Sequence, residues 1–151
     1  MFRSVKVRDY MTTKLVTFKP EDELTGAIER MLKHGISGAP VVNDAGEVVG
    51  MISEMDCLKS ILSCSYYDYE CLGGTVGEYM TREVDVISPE DDILSVTQKY
   101  IDQRRRRFPV VENGKLVGQI SRRDVLRAIK DFSSAEEIRS MKQQNEERAQ
   151  H

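Results

Sequence analysis

Two stretches of the chain place apolar residues three and four positions apart, which is the spacing of one face of a helix. The first set is Leu24, Ala27, Ile28, Met31 and Leu32, and the second set is Ile93, Val96, Thr97, Tyr100 and Ile101. Pro20 and Pro89 precede these sets, where a first helical residue tolerates a missing N–H. Ser88 suits the N-cap of the second helix, whereas Lys19 is a poor cap for the first. The pattern predicts two matching amphipathic helices.

Short β-prone runs lie on both sides of each predicted helix. Residues 15–18 and 84–87 come before the helices, and each helix is followed by two apolar runs that a turn separates. Asn113-Gly114 favours a type I′ hairpin, and residues 43–46 form its one-residue-longer equivalent. A second helix follows each hairpin, with its apolar positions at Leu58, Ile61 and Leu62, or at Leu126 and Ile129. The prediction is an α/β (α+β) fold with two β-α-β-β-α repeats.

The two halves also repeat each other residue by residue. Residues 41–56 return as 110–124, and Tyr10-Met11-Thr12 returns as Tyr79-Met80-Thr81. Two copies are too few for a solenoid, in which three or more units stack. A duplicated unit can instead bury its apolar face against its copy. We therefore expect repeats at 5–62 and 76–132, a linker at 63–75, and the functional site between the repeats.

Composition describes an ordinary soluble protein. The 151 residues are 40% apolar and 31% charged, and no apolar run approaches the roughly 20 residues that span a bilayer. The N-terminus lacks the apolar stretch of a secretory signal, so we expect a cytoplasmic location without membrane association. Cys57, Cys64 and Cys71 form no CxxC pair and are predicted to be free thiols. Met11, Met31, Met51 and Met55 are predicted to be core residues.

Charge is distributed unevenly along the chain. The net charge of −3 argues against a dedicated nucleic-acid binder, although residues 76–132 carry 11 basic and 10 acidic side chains. The arginine run at 104–107 could be a solvated helix end or a phosphate-binding group. Residues 133–151 start with a capping-box pattern and predict a charged helix with a sparse apolar stripe at Ala135, Ile138 and Met141. Its end is expected to fray, and a docking or dimer contact is an open alternative.

The segments 50–56 and 118–124 carry the pattern with chemical content, Gly-x-Ile-Ser-x-x-Asp. A strand ends at the isoleucine, and the serine caps a helix whose free N–H groups favour anionic oxygens. The aspartate can accept hydrogen bonds from ribose hydroxyls. Ser-x-x-Asp is equally close to a capping box that needs no ligand. His34 and His151 are far apart in sequence, and no catalytic motif is found, so neither a metal site nor enzymatic activity is predicted.

Taken together, these segments resemble a tandem pair of CBS (cystathionine β-synthase) domains, the Bateman module. The resemblance covers residues 5–132 and rests on the repeated Ser-x-x-Asp segments, on Pro20 and Pro89, and on 39–42 and 108–111. It implies two repeats packed about a pseudo-twofold axis, with two clefts that bind adenosine compounds. Each cleft would take its serine and aspartate from one repeat and its remaining residues from the other.

The resemblance also implies which residues form each site. Site 1 would comprise Ser53, Asp56, Val86, Arg106, Arg107 and Phe108. Site 2 would comprise Thr17, Ser37, Gly38, Ala39, Ser121 and Asp124. The aspartates would bind ribose, Ser53 and the two arginines would bind phosphate, and Val86 and Phe108 would flank the base. Site 2 lacks a basic pair before its proline, which weakens the expectation of polyphosphate binding there.

The function implied is a stand-alone regulatory, energy-sensing module. It would bind AMP, ADP, ATP (with Mg²⁺ when the ligand is ATP) or a related adenosyl ligand, without a tightly bound cofactor. It would form a homodimer and signal to a separate effector protein. A ligand-free structural adaptor, a nucleic-acid binder using residues 104–107, and an enzyme are the alternatives. Ligand screening, salt-sensitive retention on nucleic acid, and nucleotide turnover would distinguish them.

Overall fold

The computed structural model describes residues 5–62, 73–132 and 135–150. Within these ranges, the first repeat contains α1, β1, β2 and α2, and the second contains α3, α4, β3, β4 and α5, with α6 after them. Their bounds are α1 Leu24–His34, β1 Gly38–Val42, β2 Val48–Ser53, α2 Glu54–Leu62, α3 Val76–Tyr79, α4 Ile93–Gln103, β3 Arg107–Glu112, β4 Lys115–Ser121, α5 Arg122–Asp131 and α6 Ala135–Ala149. A 3₁₀ turn at Val7–Asp9 precedes α1. The predicted mixed α/β class is confirmed, with two two-stranded sheets, β1–β2 and β3–β4.

The chain forms two compact units that cut across the sequence repeats. Unit 1 comprises residues from 1–15, 85–112 and 117–151, and unit 2 comprises residues from 16–84 and 113–116. Each unit therefore combines the helices and sheet of one repeat with the opening segment of the other. The compact units therefore do not coincide with the repeats predicted at 5–62 and 76–132.

Backbone hydrogen bonds hold each opening segment in its unit. In unit 1, the N–H of Val7 donates to the carbonyl of Asp91 at 2.9 Å. In unit 2, the N–H of Val76 donates to the carbonyl of Asp22 at the same distance. Thr12 bridges Gln119 in unit 1, and Thr81 bridges Met51 in unit 2. The duplicated sequence thus produces duplicated bonds, each joining the two repeats within one unit.

The strands predicted at 15–18 and 84–87 were wrong in extent. Each is reduced to a single residue, Phe18 or Ile87, that forms an isolated parallel bridge to Val41 or Val110. Pairing ends there because the next residue enters a turn. The backbone N–H of Lys19 donates to the Asp22 carboxylate at 2.8 Å, and Ser88 does the same to Asp91 at 3.0 Å.

The predicted helix starts at Pro20 and Pro89 were also wrong, since α1 and α4 begin four residues later. The prolines lie in the turns, where their carbonyls accept hydrogen bonds from Gly77 and Arg8. Ser88 is accordingly not the N-cap of α4. Asp92 takes that position, and its carboxylate accepts from the N–H of Ser95 at 2.8 Å.

Each unit has its own apolar core. The core of unit 1 is built from Val7, Ile87, Ile93, Val96, Phe108, Val110, Ile120, Val125, Ala128, Phe132 and Met141. The core of unit 2 is built from Phe18, Leu24, Ala27, Met31, Ala39, Val41, Ile52, Cys57, Val76 and Met80. The predicted faces of α1 and α4 supply Leu24, Ala27, Met31, Ile93 and Val96 to these cores.

Some apolar residues of the predicted stripes lie outside these cores. In unit 2 they are Leu32, Met55, Leu58, Ile61 and Leu62, and in unit 1 they are Ile101, Leu126 and Ile129, all exposed. The prediction that Met55 is a core residue was therefore wrong, because it lies on the solvent side of α2. Both helix pairs, α1–α2 and α4–α5, carry exposed apolar side chains.

Helix α6 belongs to unit 1. Met141 is buried and Ile138 is partly buried against the core of that unit, as their predicted stripe suggested. The helix continues to Ala149. The predicted cap residues Ser133 and Ser134 lie outside the described residues, as do Cys64 and Cys71.

Candidate functional site

Two equivalent junctions form where a strand of the sheet meets the following helix. Strand β2 runs into α2 at Ser53, and β4 runs into α5 at Ser121. Asp56 and Asp124 stand three residues later, and both are buried. The repeated Ser-x-x-Asp pattern is therefore placed twice at the same local geometry, once in each unit.

Hydrogen bonds at both junctions match a capping box. Oδ2 of Asp56 accepts from the backbone N–H and the hydroxyl of Ser53, each at 2.9 Å. Oδ2 of Asp124 accepts from the same groups of Ser121, at 2.8 and 3.0 Å. Each serine oxygen in turn accepts from its aspartate's N–H at 3.2 Å. Serine and aspartate thus cap the helices, and this role leaves Oδ1 of each carboxylate outside the cap.

The second oxygen of each carboxylate distinguishes the two junctions. Oδ1 of Asp56 accepts a long hydrogen bond of 3.4 Å from the hydroxyl of Thr81. Oδ1 of Asp124 instead accepts from the guanidinium of Arg127, one turn along α5. A neutral donor at one junction and a cation at the other make the two acceptors chemically unequal.

The remaining predicted residues of unit 2 lie along and before β1. Gly38 pairs with Ser53 in the antiparallel sheet, and the carbonyl of Ser37 accepts from the N–H of Glu54 at 2.9 Å. Gly38 and Ala39 are buried, whereas Thr17 and Ser37 are partly exposed. The structure therefore brings Ser37 and Gly38 beside Ser53 within one unit, although the resemblance assigns them to different sites.

Arg30 is a neighbour of these residues that sequence reasoning missed. Its guanidinium donates to the carbonyl of Thr17 at 3.1 Å and lies 4.8 Å from the centre of the Phe18 ring. A cation over an aromatic face is an attractive arrangement. The exposed face of α1 gave no sign of this, since Arg30 and Thr17 are 13 positions apart. Unit 2 thus has a basic group beside Thr17 that was not predicted.

In unit 1, the predicted residues span a range of exposure. Val86 and Arg106 are exposed, Arg107 is partly exposed at the start of β3, and Phe108 is buried. The Phe108 ring packs against Tyr100, with ring centres 4.6 Å apart. The side chain of Phe108 therefore belongs to the core of unit 1, and its predicted position beside a base stays a prediction.

Tyr100 is a second residue whose setting the sequence did not reveal. Its hydroxyl donates to the carbonyl of Ile120 at 2.6 Å, directly before Ser121. Burial, followed by the nearby negative charge of Asp124, raises the pKa of Tyr100 well above its usual value. The hydroxyl therefore stays protonated and keeps its donor role. The equivalent residue of the first repeat is Met31, and this difference was the available signal.

The arginines of 104–107 have separate settings. Arg104 ends α4 with a left-handed backbone, at φ 51°. Arg105 forms an ion pair with Asp85 at 3.0 Å. Arg107 begins β3. The run therefore leads from the end of α4 into β3. The interpretation as a solvated helix end describes only part of it.

The described parts of the chain contain neither a cluster of metal ligands nor a helix able to span a membrane. Within 5–62, 73–132 and 135–150, no three His, Cys, Asp or Glu side chains are grouped to hold a metal ion. Over the same ranges, no helix has the length and apolarity needed to cross a bilayer. Burial raises the pKa of the Cys57 thiol, with further contributions from Asp56 and Glu54, so its thiolate is disfavoured.

Comparison with known proteins decides the family. The family model of the CBS domain matches the chain twice, at residues 7–63 and 76–131. The chain belongs to the CBS domain family. The resemblance found from the repeated motifs is therefore confirmed, and both junctions with their capped aspartates lie inside the matched ranges.

Three similar proteins illustrate the settings in which CBS domains occur. Protein MJ1225 of Methanocaldococcus jannaschii is 31% identical over 123 residues, which cover 82% of this chain and 42% of that protein. The zinc metalloprotease MJ0392 of the same organism is 34% identical over 139 residues, which cover 92% of this chain and 36% of the protease. The crystal structure of CBSX2 from Arabidopsis thaliana in complex with AMP has a TM-score of 0.75 and 28% identity, and covers 87% of this chain and all of that one.

The chain thus spans less than half the length of the first two relatives and the full length of the third. The match to each of the two longer relatives therefore covers only part of that protein.

Proposed function

We propose that this CBS pair binds an adenosine-containing ligand and acts as a regulatory module. The observation that carries the proposal is the pair of strand–helix junctions, each with a buried carboxylate whose Oδ1 lies outside the capping box. A carboxylate oxygen is a natural acceptor for ribose hydroxyls. The similarity to CBSX2, whose crystal structure contains AMP, supports this ligand class.

The proposal assigns each site residues from both repeats, as the resemblance implies. Site 1 would use Ser53 and Asp56 with Val86, Arg106, Arg107 and Phe108. Site 2 would use Ser121 and Asp124 with Thr17, Ser37, Gly38 and Ala39. Arginine can hold a phosphate through two parallel hydrogen bonds, so site 1 would suit AMP, ADP or ATP, the last with Mg²⁺.

Regulation would follow from a difference in affinity. A ligand shifts a conformational equilibrium only as far as its affinities for the two conformations differ. The module would therefore signal to an effector protein by changing the population of its arrangements. The protease relative is matched over 36% of its length, so we propose no catalytic activity for this chain itself.

A calorimetric titration tests the ligand class directly. We expect AMP, ADP or ATP to bind, and a ligand at about 100 times its dissociation constant to stabilise the folded protein by about 2.7 kcal/mol. The nucleotide should be recovered intact from the complex by chromatography. GMP is the control, since it shares ribose and phosphate but not adenine. Absence of binding by every adenosine compound would contradict the proposal, and retention on nucleic acid that salt abolishes would favour the alternative function.

A homodimer is part of the same proposal. The exposed apolar side chains of α2 and α5, among them Leu58, Ile61 and Leu126, would be covered by a second copy of the chain. Light scattering should give a mass of about two chains, because burying such a surface is favourable. Replacing Leu58 and Leu126 by Glu should shift the mass toward one chain, whereas Lys59→Glu on the same helix as Leu58 serves as the control. A monomeric wild-type protein at high concentration would exclude the dimer.

A further inference from the structure

We propose that Arg127 restricts ligand binding at Asp124, so that Asp56 is the stronger ribose acceptor of the two. This inference rests on the proposed function and names the residue that makes the two sites unequal. Its basis is the group that Oδ1 meets at each junction, a guanidinium at Asp124 and the Thr81 hydroxyl at Asp56. Both are buried, and both use Oδ2 for the capping box of their helix.

Arg127 contacts Oδ1 of Asp124, the carboxylate oxygen that the capping box does not use. Its guanidinium donates to Oδ1, and the carboxylate side chain of Asp124 is only 4% exposed while that of Arg127 is 66% exposed. The cation therefore covers the acceptor from the solvent side. A ribose hydroxyl that donates to Oδ1 must displace this charged donor or share the oxygen with it.

The equivalent position in the first repeat is Lys59. Among the described residues, Lys59 has no hydrogen bond or ion pair to Asp56, and Oδ1 of Asp56 accepts only from the hydroxyl of Thr81 at 3.4 Å. A neutral hydroxyl at this distance is a weaker competitor than a guanidinium, because bonds between charged groups are the stronger ones. Asp56 is accordingly the more available acceptor.

The difference also separates two roles that an arginine could have. An arginine that reads phosphate would strengthen the binding of AMP and leave adenosine unaffected. An arginine that covers the ribose acceptor would weaken the binding of both compounds alike, because both contain the same ribose. Comparing AMP with adenosine therefore distinguishes covering from phosphate recognition.

The test isolates each site with an aspartate substitution. In an Asp56→Asn background, binding reports the Asp124 site, and in an Asp124→Asn background it reports the Asp56 site. Arg127→Gln, which keeps much of the side chain's length but removes its charge, should tighten binding of both AMP and adenosine about two- to fivefold in the first background. Lys59→Gln is the matched control and should change binding less than about twofold in the second background.

Each outcome decides the inference. Unchanged or weaker binding by Arg127→Gln would overturn it, and weaker binding of AMP alone would show that Arg127 reads phosphate. An equal gain in the Asp124→Asn background would also overturn it, because the effect would not pass through Asp124. Failure of the proposed function looks different, since neither AMP nor adenosine then binds the wild type or any variant. Binding that appears only in Arg127→Gln would support the restriction.

Discussion

Replacing Phe108 by Ala is expected to reduce the free energy of unfolding by about 3–5 kcal/mol, which is the usual cost of removing a buried phenyl ring. Phe108 is 1% exposed in the core of unit 1, and its ring packs on Tyr100. Truncation removes apolar contacts and leaves a cavity that the neighbouring side chains fill only in part. Urea unfolding followed by far-ultraviolet circular dichroism measures the loss, since the chain has no tryptophan.

Two further measurements show whether this loss comes from the core. Phe108→Leu keeps most of the apolar volume and should cost clearly less than Phe108→Ala. Protein concentration must be held constant, because association would add to the apparent stability. A loss below about 1 kcal/mol for Phe108→Ala would be too small for a buried aromatic ring and would contradict its place in the core.

Replacing Asp56 or Asp124 by Asn is expected to weaken adenosine-ligand binding about 10- to 100-fold at the affected site, equivalent to about 1.5–3 kcal/mol. The amide has no charge, and one carboxylate oxygen becomes an NH₂ group that cannot accept from ribose. The larger effect is expected for Asp56→Asn, because Oδ1 of Asp124 already accepts from Arg127. Calorimetry with AMP measures both variants.

The matched control is Asp91→Asn, which also changes a carboxylate that accepts a backbone N–H. Asp91 accepts from Ser88 in the turn before α4 and is not among the predicted site residues. It should leave AMP affinity unchanged. Melting temperatures must show that all three variants fold, since Asp56 and Asp124 also cap helices. Folded Asp56→Asn and Asp124→Asn variants with wild-type affinity would remove both aspartates from the proposed sites.

The repeat and its local chemistry could be predicted from the sequence. Helix faces such as Leu24, Ala27 and Met31 followed from apolar spacing, because a helix that packs on a core must bury one side. The Ser-x-x-Asp segments predicted strand–helix junctions, and both junctions are present. These features depend on residues close in sequence, whose relative positions are fixed by helix and strand geometry.

Helix starts were predicted less well because two local signals compete. Pro20 and Pro89 are compatible with a first helical residue, and they are equally compatible with a turn. The turns prevail because Asp22 and Asp91 accept from the backbone of residues 19 and 88. The N–H of Gly77 donates to the carbonyl of Pro20, and the N–H of Arg8 donates to that of Pro89, which holds each turn in its unit. Those partners are more than 50 positions away along the chain, where no local pattern could indicate them.

The sequence by itself determined the family, the repeated elements and the aspartates at their ends, because each depends on spacing within a short segment. Only the tertiary structure decided that each unit takes its opening segment from the other repeat. It also decided that the Tyr100 hydroxyl donates to the carbonyl of Ile120, and that the Arg127 guanidinium donates to Oδ1 of Asp124. Bonds across long separations depend on how the chain closes on itself, and the Arg127 contact depends on a choice between side-chain rotamers. Neither is set by composition or periodicity, so two repeats that share the Ser-x-x-Asp pattern can differ in the group that meets the aspartate.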